Sequence, residues 1–156
     1  MKHFAPRAMA FAIASAFVFN AAHAAPAQAA NARAENAYLS EADAMARSAR
    51  VSNVDYVLDF TLTGKETFAG TTTVSFDLKD VDAPLTIDLD KATVKSVSIN
   101  GKQVDARYNN WFLTLAPEHL AKGRNTVTIS YERAHSTNGE GLHRMVDPVD
   151  GRVYTY

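Results

Sequence analysis

Cysteine is absent from this 156-residue chain, so neither disulfides nor a thiolate metal site contributes to its fold. Neither sign of charge predominates. The chain has 16 Lys and Arg against 17 Asp and Glu, a net charge of −1, and no basic run. A nucleic-acid partner is therefore not expected. The sequence also lacks a Gly-rich phosphate loop, a GxSxG elbow and an HExxH pair, the motifs of nucleotide binding, serine hydrolysis and zinc proteolysis.

The one long apolar run lies near the N-terminus, over Ala8–Phe19, after a basic start. As a helix this run rises only about 18 Å, against the ~30 Å hydrocarbon core of a bilayer. The stretch "AHA", which ends at Ala24, fits a small-x-small cleavage site, and "AQA" at 27–29 is an alternative. We therefore predict a signal peptide over 1–24, cleaved between Ala24 and Ala25. The mature chain would be secreted or periplasmic, without a stable membrane anchor.

Residues 25–37 are rich in alanine and show little periodicity. They predict a flexible lead-in before a domain over 38–156. A short amphipathic helix is expected at the start of that domain. Ser40 is a good N-cap, Ala42 and Met45 share one face at helical spacing, and the pattern ends near Arg50.

The apolar spacing changes to a period of two at Val51, and about seven strands follow. Asn100-Gly101 predicts a two-residue hairpin turn. Each strand has one apolar face and one face rich in Thr, Ser or Asp. The pattern predicts an all-β fold, an antiparallel β-sandwich or open barrel, preceded by the short helix and the signal peptide. The residues expected to face inward are Tyr56, Leu58, Phe60, Leu62, Phe68, Thr72, Val74, Phe76, Leu78, Leu85, Ile87, Leu89, Trp111, Leu113, Leu115, Val127, Ile129 and Tyr131.

Few polar residues suggest chemistry. Alternating aspartates could work as paired carboxylates, but a solvated sheet face predicts the same pattern. They are Asp55, Asp59, Asp77, Asp88 and Asp90. Three tyrosines could form a carbohydrate platform, although aromatic residues on strands more often belong to the core. They are Tyr131, Tyr154 and Tyr156.

His143, Asp147 and Asp150 are residue types that bind metal ions, and they lie close together in the sequence. The segment "DPVDG" nevertheless indicates first a turn, in which each aspartate caps its own backbone. His119, in "PEHLAKG", is expected in a surface turn. These residues alone predict no catalytic or metal site, and they lead only as far as a secreted all-β domain.

The last residues, "GEGLHRMVDPVDGRVYTY", carry a more specific signal. They resemble a run near the end of the N-terminal β-domain in the aminopeptidase N family of zinc metallopeptidases, which are gluzincins. Bacterial members have GxGLHR followed by VDPVDGxVY at that place. Upstream, "LSEADAMAR", "VDYVLDFTL", "FAGTTTVSF", "IDLD" and "SVSINGK" follow in the family's order. The matching residues of the terminal run are Gly141, Leu142, His143, Arg144, Asp147, Pro148, Asp150, Gly151, Val153 and Tyr154.

In that family the strand that begins at "VYTY" continues into a QxE motif, which helps hold the substrate's amino group. The GxMEN and HExxH motifs of a catalytic domain follow. This sequence contains none of them. The resemblance therefore implies no catalytic residue and no zinc ligand in this chain, and a structural role for the signature loop. Zinc and the contact with peptide substrates would belong to the parent enzyme's catalytic domain. The resemblance implies the non-catalytic N-terminal part of a secreted aminopeptidase, incomplete at its C-terminus and inactive alone. The alternative is a stand-alone periplasmic β-sandwich that binds a partner.

Overall fold

The structure, a computed structural model, describes residues 33–156, so the predicted signal peptide and its cleavage site at Ala24 and Ala25 lie outside the described residues. Helix α1 spans Glu41–Arg50. The strands that follow are β1 (Val51–Thr61), β2 (Thr67–Leu78), β3 (Leu85–Asp88), β4 (Ala92–Ile99), β5 (Lys102–Val104), β6 (Arg107–Tyr108), β7 (Phe112–Leu115), β8 (Gly123–Ala134), β9 (Arg144–Val146) and β10 (Val153–Thr155). A short 3-10 helix, Pro117–His119, separates β7 from β8 and exposes His119. No helix within 33–156 is long and apolar enough to cross a membrane.

Helix α1 begins where the sequence predicted. The Ser40 hydroxyl accepts a hydrogen bond from the backbone N–H of Asp43 at 3.1 Å, which satisfies one of the free donors of the first turn. At the other end, the Arg50 guanidinium donates to the carboxylate of Asp80 and to the carbonyl of Ala83, both at 2.8 Å. No residue of the helix is fully buried. These hydrogen bonds therefore do much to fix the helix on the loop after β2.

The strands form three antiparallel sheets. The largest has the order β1-β2-β8-β4-β5, the second β3-β7-β6, and the third is the hairpin β9-β10. Strands β2 and β8 pair along their whole length, from Thr67 opposite Ala134 to Leu78 opposite Gly123. The β4–β5 turn has φ 52° at Asn100 and φ 80° at Gly101, the left-handed pair that an Asn-Gly hairpin requires. The predicted all-β fold is confirmed as a sandwich-like arrangement, and no sheet among the described residues closes into a barrel.

The core lies between the first two sheets and consists largely of the residues predicted to face inward. Asn125 is an exception, since it is polar and 1% exposed. Its amide accepts from the backbone N–H of Ala121 at 2.8 Å and donates to the carbonyl of Gly123 at 2.9 Å. The buried apolar core residues are Phe68, Val74, Phe76, Leu78, Leu85, Ala92, Val97, Ile99, Leu113, Leu115, Val127, Ile129 and Tyr131.

The first strand has its apolar residues on the predicted face, but that face is exposed rather than buried. Tyr56, Leu58 and Phe60 do point to the inner side of their sheet, but their side chains are 62%, 55% and 44% exposed. Leu62, just after β1, is also exposed. The cause is the unequal width of the two sheets. The second sheet has three strands and the first has five, with β1 at its margin. The second sheet therefore leaves the inner side of β1 uncovered.

A second correction concerns Phe112, which the alternation placed on the outer side of its strand. Its side chain is buried because the guanidinium of Arg33 lies 4.2 Å from the centre of its ring. The Arg33 side chain is only 5% exposed and pairs with Asp88 at 2.5 Å. Arg33 belongs to the segment predicted as a flexible lead-in, so at this residue the lead-in is packed against the sandwich.

Candidate functional site

The signature run folds into the hairpin β9-β10, whose turn is built by its two aspartates. The Asp147 carboxylate accepts from the backbone N–H of Val149 at 2.8 Å, and that of Asp150 accepts from the N–H of Arg152 at 2.9 Å. Gly151 follows with φ 70°, a conformation that favours glycine. Pro148 lies between the aspartates and fixes the backbone of the turn. The two carboxylates therefore cap the turn, as "DPVDG" predicted.

His143 closes the base of this hairpin. Its backbone N–H donates to the carbonyl of Tyr156 at 2.8 Å, and the N–H of Tyr156 donates back at 3.0 Å. The two rings lie 5.0 Å apart. The imidazole Nδ1 accepts from the backbone N–H of Gly139 at 3.0 Å, which shapes the loop before β9. The side chain of His143 thus organises its own loop and is not directed at the two aspartates of the turn.

The hairpin is joined to the sandwich through its other signature residues. Arg144 donates from Nε to the carbonyl of Gly64, in the β1–β2 turn, at 3.1 Å. Leu142 packs against the core cluster, and its carbonyl accepts from the N–H of Ser136 at 2.9 Å. Gly141 has φ 64°, which a residue with a side chain would adopt only with strain. Arg144 and Leu142 therefore contact the rest of the domain, and Gly141 adopts a conformation that favours glycine.

A zinc ion does not fit the chemistry of this hairpin. A protein site needs three or four ligands that converge on one point. His143, Asp147 and Asp150 instead make separate local hydrogen bonds. Over residues 33–156, no group of three His, Asp or Glu side chains is arranged to hold a metal ion. Nothing in the described chain therefore assigns zinc chemistry to these residues.

Four of the five alternating aspartates, all except Asp59, lie within salt-bridge distance of an arginine. Asp55 contacts Arg124 at 2.6 Å, and Asp90 contacts Arg133 at 3.1 Å. Burial by itself would raise the pKa of Asp88. The hydrogen bonds and charges of its two arginine partners outweigh that effect and hold this pKa below its usual value of 3.8. Each of these carboxylates contacts an arginine rather than a second carboxylate, so none belongs to a carboxylate pair arranged for acid–base catalysis.

The three tyrosines do not lie together as a carbohydrate platform would require. Tyr131 is buried in the core, where its ring packs over Gly70. Tyr154 and Tyr156 belong to the exposed end of the hairpin. The three rings therefore have different environments and offer no common surface for a sugar. Of these three tyrosines, only Tyr131 is a core residue, as expected for aromatic residues on strands.

Two features of the structure were not found from the sequence. His135 is 7% exposed and lies 4.9 Å from the ring of Phe68, and neither ring nitrogen has a hydrogen-bond partner in the described part of the chain. The second is a groove of about 470 Å³ beside the uncovered face of β1. Its floor includes Tyr56 and Val74, and α1 and β3 form its walls. Most of the residues that line this groove are apolar.

The described residues form a sandwich-like antiparallel β domain, and the polar side chains of its signature loop make local hydrogen bonds. No family model matches the chain. It is 35% identical over 121 residues to the Aminopeptidase N of Streptomyces lividans, a match that covers 76% of this chain and 14% of that protein. The family prediction from the terminal motif is confirmed: the chain is a relative of the aminopeptidase N zinc metallopeptidases. It spans 14% of the length of the relative it matches.

One solved structure shows the same fold, and a second is more distant. The yeast LTA4 hydrolase in complex with Bestatin has a TM-score of 0.55 and 14% identity, over 69% of this chain and 18% of that one. An M1 zinc metallopeptidase from Deinococcus radiodurans has a TM-score of 0.45 and 16% identity, over 61% and 26% of the two chains. At these identities the first likeness shows a shared fold, and the second is too distant to add to it.

Proposed function

We propose that this chain is the N-terminal, non-catalytic domain of a secreted, zinc-dependent aminopeptidase, an enzyme that removes residues from the N-termini of peptides. By itself the chain would be inactive. The observation that carries the proposal is the 35% identity to an Aminopeptidase N over 76% of this chain. The domain would span residues 38–156, after a signal peptide over 1–24 and a lead-in over 25–37.

The chemistry of the described residues supports a non-catalytic role. The side chains of His143 and of the two aspartates of the turn accept local hydrogen bonds from backbone N–H groups. A catalytic domain would therefore hold zinc and the peptide substrate. The described β domain would support that catalytic domain. The N-terminal leader pattern supports secretion to the periplasm, with no membrane anchor after cleavage. Nothing in its charge suggests a nucleic-acid partner.

A stand-alone interaction module is the second candidate function. The observation that favours it is the apolar groove of about 470 Å³ beside β1. A concave apolar surface of this size is typical of a binding site. In this case the same fold would bind a partner without any link to peptidase activity.

An activity assay tests the first proposal. The full chain is purified, supplied with zinc, and incubated with an aminoacyl p-nitroanilide. We expect no release of nitroaniline above the rate with zinc in buffer. Zinc-dependent turnover that is lost in His143→Ala would overturn the proposal. His119→Ala is the matched control, because that histidine is exposed and lies on a separate turn.

A further inference from the structure

The sequence contains two Asn-Gly pairs, and they lie in different surroundings. Asn100-Gly101 forms the β4–β5 turn, and Asn138-Gly139 lies in the loop between β8 and β9. In such a pair the backbone nitrogen of the glycine can attack the side-chain carbonyl carbon of the asparagine and close a succinimide ring, because glycine has no Cβ to obstruct the approach. The groups around each pair therefore decide how fast the ring closes.

A base faces the attacking nitrogen of the second pair. The backbone N–H of Gly139 donates to Nδ1 of His143 at 3.0 Å, which is within the reach of a general base. A backbone N–H can only donate, so Nδ1 must carry a lone pair, and the neutral ring has its proton on Nε2. The imidazole can therefore accept the proton of Gly139 as the nitrogen attacks.

Two hydrogen-bond donors hold the carbonyl that would be attacked. Oδ1 of Asn138 accepts from Oγ of Ser136 at 2.6 Å and from the backbone N–H of Glu140 at 3.2 Å. Nδ2 of Asn138 donates to the carboxylate of Glu140 at 3.0 Å. Because the N–H only donates and the carboxylate only accepts, these contacts fix which way the amide points. The two donors would stabilise the negative charge that develops on Oδ1 during the attack.

We propose that Asn138-Gly139 is a site of self-catalysed deamidation, with His143 as the general base. The nitrogen of Gly139 forms a bond to Cγ of Asn138 while Nδ1 of His143 accepts its proton. The bond between Cγ and Nδ2 then breaks, and ammonia leaves with the proton that His143 returns. Water hydrolyses the succinimide to aspartate or isoaspartate at position 138. Every protein group in this reaction belongs to residues 136–143.

The product would change the loop before β9. The amide of Asn138 links Ser136 to Glu140, since it contacts both side chains. A carboxylate at position 138 would instead face the carboxylate of Glu140, and two like charges at this distance repel each other. Isoaspartate would in addition lengthen the backbone, because the chain then runs through the former side chain. Deamidation would therefore open this loop irreversibly.

Asn100-Gly101 is a matched control within the same chain. Oδ1 of Asn100 accepts from the backbone N–H of Thr126, and Nδ2 donates to Oδ1 of Asn125, both at 3.0 Å. Within residues 33–156, no histidine accepts a hydrogen bond from the N–H of Gly101. This pair thus has the same two residues without the base.

The experiment follows both asparagines at once. The full chain is incubated at neutral pH and physiological temperature, and samples are digested with trypsin at intervals. Cleavage after lysine and arginine places the two asparagines in separate peptides, 96–102 and 134–144. Mass spectrometry gives the fraction of each peptide that has gained the mass of an acid over an amide, and the sample taken at time zero gives the background.

We expect Asn138 to react faster than Asn100, and faster in the folded chain than in the same chain kept unfolded in urea. His143→Asn retains a hydrogen-bond acceptor, but an amide oxygen is a far weaker base than an imidazole. This substitution should slow the reaction at Asn138 by about 10- to 100-fold, up to the low end of what a positioned general base contributes in enzymes. His119→Asn is the control, because that histidine is exposed on a separate turn, and it should leave both rates unchanged.

Two results would overturn the proposal. The first is a reaction at Asn138 that is as fast in His143→Asn as in the parent chain, since the imidazole would then not be the base. The second is a slower reaction at Asn138 in the folded chain than in urea, since the loop would then protect the pair. The second comparison needs no substitution, so it decides even if a variant fails to fold. The proposal goes beyond the function proposed above, and neither result depends on peptidase activity.

Discussion

Gly70→Ala is expected to destabilise the domain through one contact in its core. A Cβ at this position would lie 2.6 Å from Cζ, 2.7 Å from Cε2 and 2.8 Å from Oη of Tyr131. Carbon atoms normally approach to about 3.5–4.0 Å, so the ring would have to move. The ring has little room to do so. Tyr131 is 7% exposed, and its backbone is paired with Gly70 on one side and Val94 on the other.

The cost follows from overpacking a filled core. Changes of this kind typically cost about 1–3 kcal/mol. For a domain of this size, that lowers the melting temperature by about 4–15 °C. Thr71→Ala is the control, because it alters the next residue of the same strand on the outer face of the sheet. It should change the melting temperature by much less.

Thermal unfolding followed by circular dichroism measures the effect, and a double substitution tests its cause. Tyr131→Leu removes the ring, so adding Gly70→Ala to it should cost less than Gly70→Ala costs in the parent chain. The expected coupling is about 0.5–3 kcal/mol. A melting temperature of Gly70→Ala equal to that of the parent would refute the reasoning, because the ring would then have space that the structure does not show.

Two further predictions concern polar groups of the sandwich. Asn125→Ala should lower the free energy of unfolding by about 2–4 kcal/mol, because it leaves backbone groups of Ala121 and Gly123 without their buried partner. Chemical denaturation measures this loss. An effect no larger than that of the exposed control Asn138→Ala would contradict the prediction. Asp88→Asn should flatten the acid limb of the stability curve. The pKa of Asp88 is lowered in the folded state, so its stabilisation is present above pH ~4 and is lost as pH falls through the folded pKa. The melting temperature is measured from pH 5 to pH 2, with Asp59→Asn as the control. The same dependence on pH in Asp88→Asn and Asp59→Asn would contradict the prediction.

The sequence predicted those parts of the fold that depend on local chemistry. Ser40 identifies the start of α1, and Asn100-Gly101 identifies the β4–β5 turn, because each position needs a particular side chain or backbone conformation. Alternation also identified the inner residues of β2 and β8. These two strands lie in the interior of the larger sheet, where a period of two corresponds directly to burial.

The errors arose where burial depends on distant parts of the chain. Alternation tells which side chains share a face, but not whether another layer covers that face. Leu58 is therefore on the predicted side and yet exposed. Phe112 is buried by Arg33, which lies far from it in the sequence. The signature loop was predicted through family resemblance, and its hydrogen bonds explain why it needs His143, Asp147 and Gly151.

The central claim is that this chain supports a zinc peptidase without binding zinc itself. An isothermal calorimetric titration of the metal-free full chain with zinc at neutral pH tests this claim most directly. The account predicts no stoichiometric site in the parent chain, and the same weak background heat for the parent, His143→Ala and His119→Ala. One zinc ion bound per chain, with the binding lost in His143→Ala and kept in His119→Ala, would contradict it.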